Sequence, residues 1–141
     1  MLISVTQCAG TGLKTSPTGP ASTISGKFSF LEDGILSGAR GSLRDGGSQV
    51  DLILNGEHAC SSKAGYGGEG APTNVNGQSW EVLSSMTYCG GPYPVKKGDT
   101  LALNVVYDLK KHPLRKGASE AEAMRIMGMM SLTVVPSKWF P

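Results

Sequence analysis

Apolar and polar residues alternate along much of this chain with a period of two. Leu101, Leu103, Val105 and Tyr107 fall on one side of an extended segment, with Ala102, Asn104 and Val106 on the other. The pattern predicts a strand over 101–107, and its two partly apolar faces place it centrally in a packed sheet. Val50, Leu52 and Leu54 alternate with Asp51, Ile53 and Asn55, and Phe28 and Phe30 alternate with Lys27 and Ser29. Further strands are predicted over Leu2–Cys8, Ile35–Arg44, His58–Ser62, Trp80–Cys89 and Met129–Val135. In the last of these, Met130, Leu132 and Val134 share a face.

Turn signals punctuate the strands. Asp33-Gly34, Asp45-Gly46-Gly47 and Lys97-Gly98-Asp99 each turn the chain, and Asn55-Gly56 is the strongest hairpin signal. Residues 9–26 are rich in Gly, Thr, Ser and Pro and are expected to form a long loop. A second loop is expected over Gly65–Gln78, a basic one over Lys110–Gly117, and Pro92–Pro94 should interrupt a strand. Ser119 followed by Glu122 resembles a capping box, which favours a short helix over Glu120–Met127; an ordered loop competes, because Gly128 stops the segment early. Trp139 and Phe140 in the tail are expected to pack back onto the body. About eight strands at this spacing, with no repeat and no boundary, predict one domain over 1–141. Its fold class is all-β: a two-sheet antiparallel β-sandwich, jelly-roll-like.

Composition narrows the function classes. The net charge of +2 and the dispersed basic residues argue against nucleic acid as a partner. No run of about eighteen apolar residues is present, so no membrane-spanning helix is expected. The segment from Met1 to Cys8 lacks the basic start and long apolar stretch of a signal peptide, which favours a cytoplasmic location unless a leader has been removed. Cys60 and Cys89 could bridge neighbouring strands, leaving Cys8 over; in a cytosolic protein all three cysteines would stay reduced.

The segment Gly38-Ala-Arg-Gly-Ser-Leu-Arg-Asp-Gly-Gly47 carries the functional question. Ser42 and Arg44 are two residues apart on a strand and so share a face. Two histidines at that spacing would supply half of a copper or zinc site, whereas a hydroxyl and a guanidinium are not usual transition-metal ligands. The segment resembles the Gly-His-Leu-His-Asp-Gly-Gly element of copper type II monooxygenase-like proteins. That group is related to peptidylglycine α-hydroxylating monooxygenase and to stress-up-regulated nodulins. The resemblance continues through Asn55-Gly56, Cys60-Ser-Ser-Lys-Ala64, Met86-Thr-Tyr-Cys89 and Val95-Lys-Lys-Gly-Asp99. It then runs through Tyr107-Asp-Leu-Lys-Lys-His-Pro113 and Met127-Gly128, covering roughly residues 26–135 as short matches in order.

In that family the second β-domain supplies a copper site from His-x-His and a later methionine. The corresponding positions here are Ser42, Arg44 and Met127, so the resemblance implies a scaffold that has lost its metal ligands. It also implies that the first copper domain, and with it a two-copper electron path, is missing. The implied function is a cofactor-free cyclase, isomerase or dehydratase, with no metal. It would act on a hydrophobic oxygenated small molecule of specialised metabolism in the reused metal pocket, a concave site between the sheets. Arg44 would be the electrophilic donor and Ser42 a second hydrogen-bond donor. His112 or Asp45 would serve as base, with Asp108 upstream able to bring a carboxylate near His112. Met127, Met129 and Tyr107 would form apolar wall, and Tyr88 and Trp80 could stack on a flat ligand. Each of these residues also has an ordinary reading as core, surface pair or loop. Two other functions stay open: a ligand- or partner-binding module without chemistry, and a weak copper protein using Met127 with His58 or His112. A homodimer is compatible with all of them.

Overall fold

The computed structural model describes residues 2–4, 19–68, 74–75, 78–79, 81–113 and 127–139. The period-two alternation resolves into two antiparallel sheets packed face to face. The first sheet has the order β1 (Leu2–Ser4), β12 (Gly128–Pro136), β4 (Gly34–Leu43) and β10 (Tyr88–Val95). The second has the order β2 (Pro20–Ile24), β11 (Thr100–Asp108), β5 (Gly47–Leu54), β6 (Glu57–Tyr66) and β9 (Leu83–Met86). A short β3 (Phe28–Ser29) also pairs with β11, and β7 (Asn74–Val75) with β8 (Gln78–Ser79) makes a small ribbon. The chain is therefore an all-β sandwich.

The core is the set of side chains that both alternations send inward. Leu36, Ala39, Leu43, Cys89, Met130 and Leu132 from the first sheet meet Val50, Leu52, Leu101, Leu103, Val105 and Tyr107 from the second. Burying each leucine fully contributes roughly 1.5–3 kcal/mol. A one-residue slip of any central strand would turn that whole set toward water, so the hydrophobic pattern fixes register. Gly41 permits the close approach of the sheets: a Cβ there would press on the Val50 and Met86 side chains. Its N–H donates to Ser62 Oγ at 3.0 Å, and that fully buried hydroxyl donates to the Thr87 carbonyl at 2.6 Å.

The second sheet buries a carboxylate on its outer side. Asp51 is held by Gln49 Nε2 at 2.7 Å, Ser61 Oγ at 2.6 Å and Asn104 Nδ2 at 3.0 Å. Three donors meet the requirement that a buried charge be satisfied.

Several expectations are corrected. Pro20–Ile24 lies within the expected loop but is an edge strand on β11, with Ala21 and Thr23 half-buried and Ser22 and Ile24 exposed. Pro92 and Pro94 do not interrupt β10: this is an edge strand, which tolerates missing donors, and its register shifts between Gly90 and Tyr93. Asn74–Val75 and Gln78–Ser79 pair within the second expected loop. Trp139 is 69% exposed and does not pack back on the body. Cys8, Phe140 and the expected helix residues 120–126 lie outside the described residues.

Cys60 on β6 and Cys89 on β10 form a disulfide with Cα atoms 6.0 Å apart. It joins the two sheets, not neighbouring strands of one sheet, as the sequence had suggested. A bridge spanning 29 residues restricts the unfolded chain. Replacing both cysteines with alanine is expected to lower the unfolding free energy by about 2–4 kcal/mol in urea titrations while the β-type circular dichroism persists. An unchanged midpoint would show that the sheets are not covalently joined.

Candidate functional site

The sequence candidates gather at one end of the sandwich. Register places Leu43 opposite Gly128 and Tyr107 opposite Gly47, so the β4–β5 turn, the loop after β11 and the start of β12 converge there. At the opposite end lie Gly34, Leu54, Leu101 and Pro136.

Ser42 and Arg44 do share a face, but both are exposed and the face is the outer one. Leu43 between them is buried in the core, and alternation sends its neighbours to the opposite side. Among the described residues the apolar core occupies the space between the sheets, and Ser42 and Arg44 face away from it. This corrects the expectation of a hollow lined by Arg44. Met129, paired with Ser42, shares the outer face and is half-buried. Tyr88, 58% exposed, lies opposite Arg40 on the same sheet, with the Arg40 guanidinium 5.7 Å from its ring centre. Arg40 is thus a second cation on this face, which the sequence had not singled out. Trp80 lies outside the described residues.

Tyr107 is not an accessible wall. Its side chain is fully buried, and its hydroxyl accepts the Arg44 N–H at 3.1 Å and donates to the Met127 carbonyl at 2.6 Å. Tyr66, on β6 at the other side of β5, braces the same turn: its hydroxyl accepts the Gly46 N–H at 2.9 Å and donates to the Gly47 carbonyl at 2.7 Å. Gly46 holds φ +95°, a left-handed conformation that glycine adopts without strain. Burial pushes the Tyr107 phenol above its ordinary range, against the hydrogen bonds from the backbone. Burial likewise pushes Tyr66 up to about 12. Both phenols are therefore protonated braces and not bases at neutral pH.

Asp45 and His112 do come together. They line one cleft of about 200 Å³ with Gly46, Tyr66, Glu81, Lys111 and Pro113. Asp45 Oδ1 accepts the Leu83 N–H at 2.9 Å, which fixes the carboxylate. The His112 ring stacks on Tyr66 with centres 3.6 Å apart and planes within 8°. Asp108 is not the partner of the imidazole: its Oδ1 accepts the Lys110 and Lys111 N–H groups at 3.2 and 3.1 Å. Its carbonyl accepts the His112 N–H at 3.0 Å, which closes the loop that carries the ring.

The sequence reading missed Tyr66, Glu81 and Lys111. Lys111 lies in the basic loop expected over Lys110–Gly117, and Tyr66 sits in a glycine-rich stretch with no motif of its own. His58 stands apart from the cleft. It lies on the second sheet's outer face, toward the opposite end, with Nε2 2.8 Å from Ser61 Oγ and 3.8 Å from Asp51 Oδ1. It therefore cannot share a ligand set with Met127. Among the described residues, no group of three or more His, Cys, Asp or Glu side chains is placed to hold a metal ion.

Tyr66→Phe keeps the ring for stacking and removes the hydroxyl. The Gly46 N–H and Gly47 carbonyl lose their partner, with an expected loss of about 1–3 kcal/mol in stability. The unfolded phenol ionises near 10.0 and the folded one near 12. Stability from this proton is present below pH 10.0 and is lost as pH rises through about 12. Alkaline unfolding titrations should show a smaller loss in Tyr66→Phe than in the wild type; equal losses would deny the phenol its bracing role. Comparison with protein-family models, with curated proteins and with solved structures gives no match for this chain.

Proposed function

We propose that this protein is a cofactor-independent enzyme that moves protons on an oxygenated small molecule, in the class of cyclases, isomerases and dehydratases. The observation that carries the reading is the meeting of His112, Asp45 and Lys111 in one cleft. The ordered resemblance to copper monooxygenase-like proteins, with serine and arginine at the histidine positions, supports a scaffold turned from redox to acid–base work.

In this reading His112 takes a proton from a carbon beside a carbonyl. The electron pair moves onto the carbonyl oxygen, where the Lys111 ammonium stabilises the developing enolate. Asp45, held by the Leu83 N–H, stabilises the imidazolium that forms. Return of the proton at another atom completes an isomerisation. Attack of the enolate on a second carbonyl carbon of the substrate, whose C=O π pair moves onto its oxygen and takes the proton back from the His112 imidazolium, completes a cyclisation. No electrons enter or leave. Stacking on Tyr66 limits the imidazole's freedom, which favours a reactive orientation. Arg44 and Ser42, one and three residues before Asp45, offer a guanidinium and a hydroxyl on the outer face for the rest of an oxygenated substrate. Met129 beside them offers apolar contact.

Solvent deuterium exchange tests this without knowing the natural substrate. Aryl alkyl ketones incubated with the protein in deuterated buffer should gain deuterium beside the carbonyl faster than in buffer alone. His112→Ala should lose about 100-fold or more of that enhancement while remaining folded by circular dichroism. A wild-type rate equal to buffer across cyclic and open-chain probes contradicts the reading. Binding of the probes without exchange would instead favour a ligand-binding module.

A further inference from the structure

The end of the sandwich opposite the cleft carries a second concavity. It is a groove of about 290 Å³ between the β3–β4 connection and the ends of β11 and β12. Phe28, Phe30, Leu31, Leu101, Val134 and Pro136 supply its apolar lining. Two of these remain strongly exposed, Leu31 at 85% and Phe28 at 41%, so the apolar surface continues onto the rim. Exposed apolar surface of this kind beside a groove marks a place where something binds.

The polar groups of the groove limit what that is. Glu32, Asp33 and Ser29 also line it, and among the described residues that line it there is no lysine, arginine or histidine. Asp33 is fixed in place: Oδ1 accepts the Lys97 N–H at 2.8 Å, and its carbonyl accepts the Ser137 N–H at 2.9 Å. Glu32 pairs with Lys138 at 3.1 Å, with both side chains more than half exposed, so the pair is readily exchanged for another cation. Lys138 offsets the Glu32 charge where the two are paired, which leaves the Asp33 carboxylate as the net negative charge of the groove, repelling a carboxylate ligand and attracting an ammonium. The phenylalanine rings add faces that attract cations.

We propose that this groove binds a small molecule with an apolar body and a cationic amine head, the body against Phe28, Phe30 and Val134 and the head toward Asp33 and Glu32. The site is separate from the His112 cleft and stands whether or not that cleft is catalytic. Rejection of acids follows from the Asp33 carboxylate, with Glu32 adding to it where Lys138 is displaced, so charge provides the selectivity and the apolar lining the affinity.

Three probes with one apolar body test it: naphthylmethylamine, naphthylmethanol and naphthoic acid, followed by amide chemical shifts of the labelled protein. The amine should bind about tenfold or more tighter than the acid, equivalent to ~1.4 kcal/mol, with the alcohol between. Its shifts should centre on Phe28, Leu31 and Val134. Asp33→Asn, which keeps the Oδ1 acceptor for Lys97, should remove most of the preference for the amine. Leu31→Arg, at an exposed position where the fold is undisturbed, should reverse it toward the acid. Equal binding of amine and acid by the wild type, or shifts centred elsewhere, overturns the proposal.

Discussion

Two phenolic hydroxyls, one from each side of the β4–β5 turn, organise the end of the sandwich where the candidate chemistry lies. Tyr107 ties the Arg44 amide to the Met127 carbonyl, and Tyr66 ties the Gly46 amide to the Gly47 carbonyl. The turn links the two sheets; the Gly47 N–H donates to the Arg44 carbonyl and the Asp108 N–H to the Gly46 carbonyl, while the Arg44 and Gly46 amides pair with the phenols. Buried peptide groups need partners, and here the tyrosines supply them. Without these bonds the turn could not hold Asp45 against the Leu83 amide, and the cleft would lose one wall. The ring of Tyr66 then has a second use as the surface on which His112 stacks.

This arrangement separates two regions that a reading of the strand alone would merge. The outer face of the first sheet presents Arg40, Ser42 and Arg44 with Tyr88 and Met129 to water. The cleft gathers side chains from the turn, from β6 and from the loop after β11. The strand pair holds a guanidinium and a hydroxyl but no proton acceptor, while the cleft holds an imidazole, carboxylates and an ammonium. The proposed proton transfer is accordingly assigned to the cleft, and the proposed recognition of polar groups to the strand face.

Much of the fold was legible because burial imposes a strict period. The Leu101–Tyr107 alternation located the central strand, and Asn55-Gly56 adopts the positive φ values of 51° and 81° that a hairpin turn demands. The edge strand Pro20–Ile24 was not legible, since it buries only small and hydroxylated residues. Pro92 and Pro94 argued against a strand because their edge position is a tertiary fact. At the site, the shared face of Ser42 and Arg44 was readable, and so in principle was its direction. A leucine between a hydroxyl and a guanidinium turns its own side inward, which sends Ser42 and Arg44 to the outer face despite the likeness to a metal strand. The grouping of Asp45 with His112 was anticipated as residues but not as a place. It depends on Tyr66 and Glu81, which reach the cleft from sequence positions carrying no motif.

The two phenols pin the turn and thereby build the cleft. Amide hydrogen exchange at Arg44 and Gly46, read in the wild type and in the Tyr66→Phe and Tyr107→Phe variants, tests it most directly. Both amides should be strongly protected in the wild type. Each variant should lose protection selectively, Gly46 with Tyr66 and Arg44 with Tyr107. Exchange at unprotected rates in the wild type, or protection indifferent to both substitutions, would contradict it.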